Sequence, residues 1–238
     1  MRVALISDLH ANAIALEAVL SDAARAGYDE LICLGDVATL GPRPAEVLAR
    51  LKDLRCRNIM GNHDEFMLDP ALIHSYSESS LIVSSVEATR LALSEDDLAF
   101  IRTFERTISL GDLFLFHGTP RSNMEDLIVT TPADRVDEML AGHHARVLAG
   151  GHTHLQMLRQ HRGMLIVNSG SLGMPFREYA AGGPPPIMPV AEYAIVELHG
   201  ANVSVDLRRV SLDPTALASQ VDGWDNPLAR PLKASYAT

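Results

Sequence analysis

The chain has 238 residues, of which 47% are hydrophobic and 21% are charged. A chain of this length and composition can bury a full core, and we expect one soluble globular domain. The formal net charge of −10 argues against long stretches of nucleic acid as the main partner, because phosphate backbones recruit basic faces.

The cysteine content and the N-terminus indicate a compartment. Cys33 and Cys56 both lie in apolar, strand-like runs, which favours buried thiols in a reducing cytoplasm. The first apolar run is short and is interrupted by Asp8 and His10, so we do not expect a signal peptide. No apolar run approaches membrane-spanning length. We therefore expect a cytoplasmic protein without a membrane partner.

The first sixty residues alternate between short apolar runs and helical periodicity. This alternation predicts parallel strands joined by right-handed helical crossovers. In such sheets functional groups lie just beyond the carboxyl ends of the strands. The predicted order is strand 2–7, a helix between Asn12 and Gly27, strand 31–34, a helix opened by Pro42 and Pro44, and strand 56–60.

The remaining sequence predicts a second set of strands after a helical segment. Residues 65–104 have helical spacing, and we expect a helical insertion that lies over the site as a substrate-shaping lid. A Gly/Pro-rich stretch, 178–191, predicts a loop. The other predicted elements are hairpin 107–116, helix 132–141, strand 146–149, hairpin 155–168, strands 192–198 and 203–210, and a weakly helical tail.

These elements define an α/β fold, with two layers of helices around a core of two β-sheets. We expect a main domain over 1–210, with the helical insertion inside it, and a C-terminal extension over 211–238. No internal repeat or domain linker is evident in the sequence.

Five polar blocks follow apolar runs and repeat one pattern of Asp or His at a strand end. Each block is weak alone, since an Asp after a strand is more often a helix cap, and a lone His is more often structural. Together they indicate a site. The blocks are Asp8-Leu9-His10, Gly35-Asp36, Gly61-Asn62-His63-Asp64, His117-Gly118 and Gly151-His152-Thr153-His154.

The side chains in these blocks point to metal chemistry. Seven of them are candidate ligands, too many for one ion and about right for two ions that share Asp36. Carboxylates with imidazoles and one amide, without thiolate, favour Mn²⁺, Fe²⁺, Zn²⁺ or Ni²⁺ over a structural zinc site. Two such ions are a known clamp for displacement at phosphorus. The candidate ligands are Asp8, His10, Asp36, Asn62, His117, His152 and His154.

The other polar residues near these blocks have different expected roles. We expect Asp64 to cap a helix or orient a neighbour instead of binding metal. Five further histidines lie in no such block and are expected to be surface or structural residues. They are His74, His143, His144, His161 and His199.

The five motifs in this order resemble the calcineurin-like metallophosphoesterase superfamily over roughly residues 1–210. The resemblance implies a four-layer αββα sandwich. It implies one ion held by Asp8, His10, Asp36 and His154, a second held by Asp36, Asn62, His117 and His152, and His63 as the general acid.

One departure from the superfamily narrows the function. Protein Ser/Thr phosphatases carry an Asp and a phosphate-gripping Arg in the second motif, where this chain has Thr39 and Leu40. Protein phosphatase activity is therefore not expected. The compact motifs, with His117-Gly118-Thr119-Pro120-Arg121, are similar to small bacterial phosphodiesterases and phosphatases, and Arg121 is a candidate phosphate-contacting cation.

The expected reaction is hydrolysis of a small phosphodiester or phosphomonoester. A hydroxide that bridges the two ions would attack phosphorus, and His63 would protonate the departing oxygen. One alternative is a nuclease or cyclic-nucleotide phosphodiesterase on the same site. Another is a non-catalytic binding scaffold that keeps the fold. The metal, the substrate and any homo-oligomer stay open at this point.

Overall fold

Two mixed five-stranded β-sheets form the centre of the computed structural model, which describes residues 1–179 and 185–236. In spatial order the first sheet contains β10 (Asn202–Ser211), β9 (Val190–His199), β1 (Arg2–Ile6), β2 (Glu30–Cys33) and β3 (Arg57–Asn58). The second contains β4 (Ile108–Leu110), β5 (Leu113–Leu115), β6 (Val147–Gly150), β8 (Met164–Asn168) and β7 (Met157–His161).

Parallel pairing in both sheets directs several strand ends to the same edge. In the first sheet β1, β2 and β3 are parallel to one another. β9 runs antiparallel to β1, and β10 runs antiparallel to β9. In the second sheet β5, β6 and β8 are parallel, and β4 and β7 are antiparallel to their neighbours. The parallel βαβαβ unit predicted for the first sixty residues is confirmed.

Helices cover the outer faces of both sheets. The described helices are α1 (Ala13–Ala26), α2 (Pro44–Leu54), α3 (Asn62–Leu68), α4 (Leu72–Tyr76), α5 (Ser80–Ala92), α6 (Glu95–Ile101), α7 (Ala133–Leu140), α8 (Pro214–Ser219) and α9 (Ala229–Ser235).

Alternation along the strands builds three apolar layers between these elements. Val3 and Leu5 of β1 lie in the core between the two sheets, whereas Ala4 and Ile6 lie in the core beneath the helices. This is expected because successive strand side chains point to opposite faces. A third core packs the outer face of the second sheet against α7, around Val136. The predicted αββα sandwich is therefore confirmed.

Local capping sets the helix bounds as the sequence indicated. The side chain of Asn12 accepts a hydrogen bond from the N–H of Ala15, and α1 is followed by Gly27 with φ of 80°. Ser94 and Asp97 form the reciprocal capping pair at the start of α6.

Some predicted bounds were wrong. The third strand is limited to Arg57–Asn58, shorter than the predicted 56–60, because Ile59 makes only an isolated bridge to Glu105. The helical segment begins with α3 at Asn62, three residues before the predicted start at residue 65. Of the predicted loop 178–191, residues 180–184 lie outside the described residues.

The C-terminal tail packs on the helical side of the first sheet. Leu217 of α8, Leu232 of α9 and Tyr236 are buried in the same core as α1. Within 1–179 and 185–236, no helix combines the length and apolar character that crossing a membrane requires.

Candidate metal centre

The candidate ligands lie where the parallel strands of both sheets end. Asp8 and His10 follow β1, and Asp36 follows β2. Asn62 begins α3 just after β3, and His117 follows β5. His152 and His154 follow β6. The two sheets therefore place all seven side chains, buried, at one shared edge.

The backbone at this edge adopts a conformation that non-glycine residues rarely adopt. Five of the seven candidate ligands have positive φ values of 43–70°, namely Asp8, His10, Asp36, His152 and His154. Such left-handed residues cost free energy and persist where the surrounding structure holds them, often at functional sites. The concentration of this strain at one edge supports a functional role for that edge.

Two motif glycines allow the chain to approach the carboxylates closely. A Cβ atom at Gly61 would overlap Asp36 Oδ1, and a Cβ at Gly151 would overlap Ser7 Oγ and crowd Asp8 Oδ2. Any larger residue would displace the carboxylates.

The first cluster contains Asp8, His10 and His154. His10 Nε2 lies 3.0 Å from His154 Nε2, which in turn lies 3.3 Å from Asp8 Oδ1. All ligand atoms of this cluster lie within 4.8 Å of one another, close enough to hold one ion. Asp8 Oδ1 is buried and has no hydrogen bond of acceptable geometry with the described residues. A cation would supply the missing partner.

The second cluster contains Asp36, His117 and His152, with Asn62 beside it. His117 Nε2 lies 3.4 Å from Asp36 Oδ2 and 3.1 Å from Asn62 Oδ1. The ligand atoms of Asp36, His117 and His152 also lie within 4.8 Å of one another. The chain thus contains two candidate buried His/Asp metal sites.

Backbone carbonyls orient three of the imidazoles. Nδ1 of His117 and Nδ1 of His154 each lie 2.7 Å from a carbonyl oxygen, of Leu34 and Met174 respectively. Nδ1 of His10 lies 3.3 Å from the carbonyl oxygen of Thr39. A proton on Nδ1 leaves Nε2 free to bind metal, which is the usual arrangement of ligating histidines.

Asp64 positions the loop that carries Asp36. Its Oδ2 accepts hydrogen bonds from the N–H groups of Asp36 (2.7 Å) and Gly61 (3.0 Å), and its Oδ1 accepts one from Val37 (2.9 Å). Burial, and the nearby charge of Asp36, raise the pKa of Asp64 to about 7. Asp64 therefore orients neighbours, as the sequence suggested.

Opposite charges in the centre shift the pKa values of its buried groups against the effect of burial. Burial would raise the pKa of Asp8, but His154 and His117 outweigh it and lower that pKa to about 2. Burial likewise would raise the pKa of Asp36, but His117 and His63 outweigh it and hold that pKa well below its ordinary value. In return Asp36 and Asp8 overcome burial and raise the pKa of His117 to about 10. Asp8 and Asp36 are ionised and can bind cations directly, whereas His117 must lose its proton before it can bind a metal ion.

His63 lies beside the clusters. Its ring and that of His10 are nearly perpendicular, with 5.3 Å between their centroids. Its Nδ1 lies 2.9 Å from Thr39 Oγ1, and its main-chain N–H donates to Asp36 Oδ1. Burial is the main cause that lowers the pKa of His63 to about 4, with the nearby histidines adding to it and Asp36 opposing it.

Asp126 and Tyr76 lie beside the centre although the sequence pattern did not point to them. Asp126 Oδ1 lies 3.1 Å from His152 Nε2, and Tyr179 donates a hydrogen bond to the other oxygen of Asp126. The ring of Tyr76, from α4, lies 6.1 Å from the ring of His63. Asp126 follows no strand and Tyr76 lies in the helical segment, so neither carries the strand-end pattern that identified the other residues.

Arg121 lies near the second cluster, but its guanidinium is paired. It shares a small surface depression with His117, and its Nε donates to Glu125 Oε2 at 2.9 Å. This ion pair raises the pKa of Arg121.

Comparison with known proteins identifies the family. A model of the calcineurin-like phosphoesterase superfamily domain matches residues 1–200, and the chain belongs to that superfamily. The resemblance inferred from the five motifs is thus confirmed.

Several relatives share most of the chain. An uncharacterised protein of Methanocaldococcus jannaschii is 26% identical over 71% of this chain and 69% of its own length. The phosphodiesterase YfcE of Escherichia coli is 25% identical over 90% of this chain and all of its own. A metallophosphoesterase structure from Sphaerobacter thermophilus has a TM-score of 0.78 and 26% identity, over 100% of this chain and 99% of that one.

Proposed function

We propose that this chain is a dinuclear metal-dependent phosphoesterase that hydrolyses small phosphodiesters or phosphomonoesters. The observation that carries the proposal is the pair of buried Asp/His clusters at the shared edge of the sheets. The family supports a phosphoester substrate. Nitrogen and oxygen donors without thiolate favour Mn²⁺, Fe²⁺, Zn²⁺ or Ni²⁺.

Asp36 is the residue we assign to both ions. Its Oδ2 lies 3.4 Å from His117 Nε2 in the second cluster, and its main-chain carbonyl accepts a hydrogen bond from the N–H of His10 in the first, which supports this assignment. Asp8, His10 and His154 would complete one site, and Asn62, His117 and His152 the other. When bound, the two ions would activate water and stabilise negative charge on the phosphoryl oxygens.

We assign His63 as the general acid. Its Nδ1 is engaged with Thr39, so Nε2 is the atom that would give a proton to the departing oxygen. With a pKa of about 4 in the free chain, the ring is mostly neutral at pH 7. An anionic phosphoester beside the ring would raise this pKa and favour the protonated form when substrate is bound.

Three residues bear on the choice of substrate. Thr39 is occupied by His63, and Leu40 is buried, so neither grips a phosphate as the corresponding residues of protein phosphatases do. We keep Arg121 as a candidate phosphate contact, which would require it to exchange Glu125 for the substrate.

The two thiols, Cys33 and Cys56, are free, which supports the reducing cytoplasm as the compartment.

A metal-dependent assay tests the proposal. Chain stripped by a chelator is reconstituted with Mn²⁺, Ni²⁺, Zn²⁺ or Mg²⁺ and assayed on bis(4-nitrophenyl) phosphate and 4-nitrophenyl phosphate. We expect hydrolysis that needs metal, is lost in Asp36→Asn and persists in Asp53→Asn, which changes an exposed carboxylate on α2. Metal binding without hydrolysis of either ester would favour the binding scaffold instead.

A further inference from the structure

A cavity of about 740 Å³ borders the candidate metal centre. Most of its walls come from three segments outside the two sheets. Leu81 and Ile82 come from α5, Met174 and Phe176 from the segment after β8, and Leu232 from α9. This volume lies within the ~300–1,000 Å³ typical of sites that hold small molecules.

His154 connects the cavity to the metal centre. Its ring lines the cavity and packs against Phe176 at 4.3 Å between centroids. Its Nε2 faces the first cluster, 3.3 Å from Asp8 Oδ1. Leu40, another wall residue, directly follows Thr39, whose hydroxyl holds His63. A molecule bound at the metal centre could therefore extend past His154 into this cavity.

The lining of the cavity is mostly apolar. No Lys or Arg side chain lines it within the part of the chain that the structure describes. Glu78 at its rim is the acidic lining residue, and it would repel a second phosphate. Apart from Glu78, the polar lining residues are Ser79, Ser235 and His154, while aliphatic and aromatic side chains make up the rest. These groups favour an aliphatic chain over a charged group or a nucleobase, whose polar atoms need hydrogen-bond partners when they are buried.

We propose that this cavity holds a long aliphatic chain of the substrate, so the preferred substrates are phosphoesters of long-chain alcohols. The proposal rests on the proposed phosphoesterase function and adds the class of its substrate. Each methylene buried in the cavity is expected to raise kcat/KM by up to about fourfold.

A chain-length series tests this inference. The metal-reconstituted chain is assayed on 4-nitrophenyl alkyl phosphodiesters from methyl to octyl, below their aggregation concentrations. We expect kcat/KM to rise at least about tenfold from methyl to octyl, mainly through a lower KM. A flat series would overturn the proposal.

Two substitutions on α5 locate the effect. Leu81 lines the cavity and is 37% exposed, so Leu81→Glu should fold, and it should bring the octyl-to-methyl ratio of kcat/KM close to one. Leu91 is 87% exposed and does not line the cavity, so Leu91→Glu should keep the wild-type ratio. If both variants lost the ratio equally, the cavity would not be its origin.

A binding measurement separates this inference from the proposed function. Calorimetry compares octylphosphonate with methylphosphonate on the metal-loaded chain, and neither compound is hydrolysed. Octylphosphonate should bind at least about tenfold more tightly in wild type, and not in Leu81→Glu. If no ester is turned over with any metal, the phosphoesterase function fails, while this binding difference still decides whether the cavity takes an aliphatic chain. Equal binding of the two phosphonates overturns it.

Discussion

His63 is the residue whose assigned role is most easily distinguished from that of its neighbours. Asn62 and His63 are adjacent in the first turn of α3, yet Asn62 Oδ1 lies beside His117 and His63 Nδ1 lies beside Thr39. One turn of helix thus directs two polar groups to different parts of the centre. This separation is why we treat Asn62 as a ligand and His63 as an acid.

His63→Ala is expected to keep both metal ions and to lower kcat by roughly 10²–10⁴-fold. The loss should be small for nitrophenolate, which needs little protonation on departure, and full for alkoxide leaving groups. A series of esters graded by leaving-group pKa, with His199→Ala as an exposed control, measures this. An equal loss across the series would rule out His63 as the acid, and loss of metal would make it a ligand.

Asp36→Ala is expected to release more metal than the substitution of any other single candidate ligand. Asp36 is a buried member of the second cluster, and its main-chain carbonyl accepts a hydrogen bond from His10 of the first. We therefore expect its removal to unlink both ions, whereas His154→Ala should weaken only one. Elemental analysis after dialysis measures the metal retained by each variant. Retention of both ions by Asp36→Ala, with loss by His154→Ala, would contradict the shared-ligand assignment.

At the scale of elements, Asp22 ties α1 to the antiparallel strands of the first sheet. Its Oδ2 accepts hydrogen bonds from the Tyr193 hydroxyl of β9 at 2.7 Å and from Arg208 Nε of β10 at 2.9 Å. The hydrogen bond from Tyr193 is the main cause that lowers the pKa of Asp22, and Arg208 adds to it against the effect of burial.

Asp22→Asn should lower the free energy of unfolding by about 1–3 kcal/mol at pH 7, because hydrogen bonds to a charged group are lost. Since the folded pKa lies below the ordinary value of 3.8, the stabilisation is present above that value and is lost as pH falls through the folded pKa. Urea unfolding from pH 7 to pH 2.5, with Asp53→Asn as a control, should show the two curves converging in acid. A constant difference would contradict the assignment.

Sequence alone predicted most of the elements and the residues that cluster as candidate ligands, for a local reason. A ligand that follows a strand carries its own signal, as in Asp36 after β2 or His117 after β5. Contacts that depend on how loops pack carry no such signal. Asp126 reaches His152 from a segment without a strand boundary, and the substrate-side cavity needs α5 and α9, which are far apart in sequence.

Other expectations stay predictions. These are the lid role for 65–104 and the domain boundary at residue 210. The helices α4 and α5 supply Tyr76 beside His63 and Leu81 beside the cavity, as a substrate-shaping segment would.

At the scale of the whole molecule, metal binding should stabilise the fold. Asp8 and Asp36 are buried carboxylates that repel one another across the centre, and cations between them would relieve that repulsion. With metal at about 100 times its Kd, the gain of about 2.7 kcal/mol should raise Tm by roughly 5–10 °C over the chelated chain. Calorimetry with and without chelator measures the shift, and an equal shift in Asp36→Asn would contradict a role for the centre.

The central claim is that one chain holds two ions that share Asp36. A crystal structure of the manganese-reconstituted chain, with anomalous scattering data, tests it most directly. We expect two manganese peaks per chain at about 3.5–4 Å from each other, with a carboxylate oxygen of Asp36 on each. A single peak, or two peaks of which one lies away from Asp36, would contradict the claim.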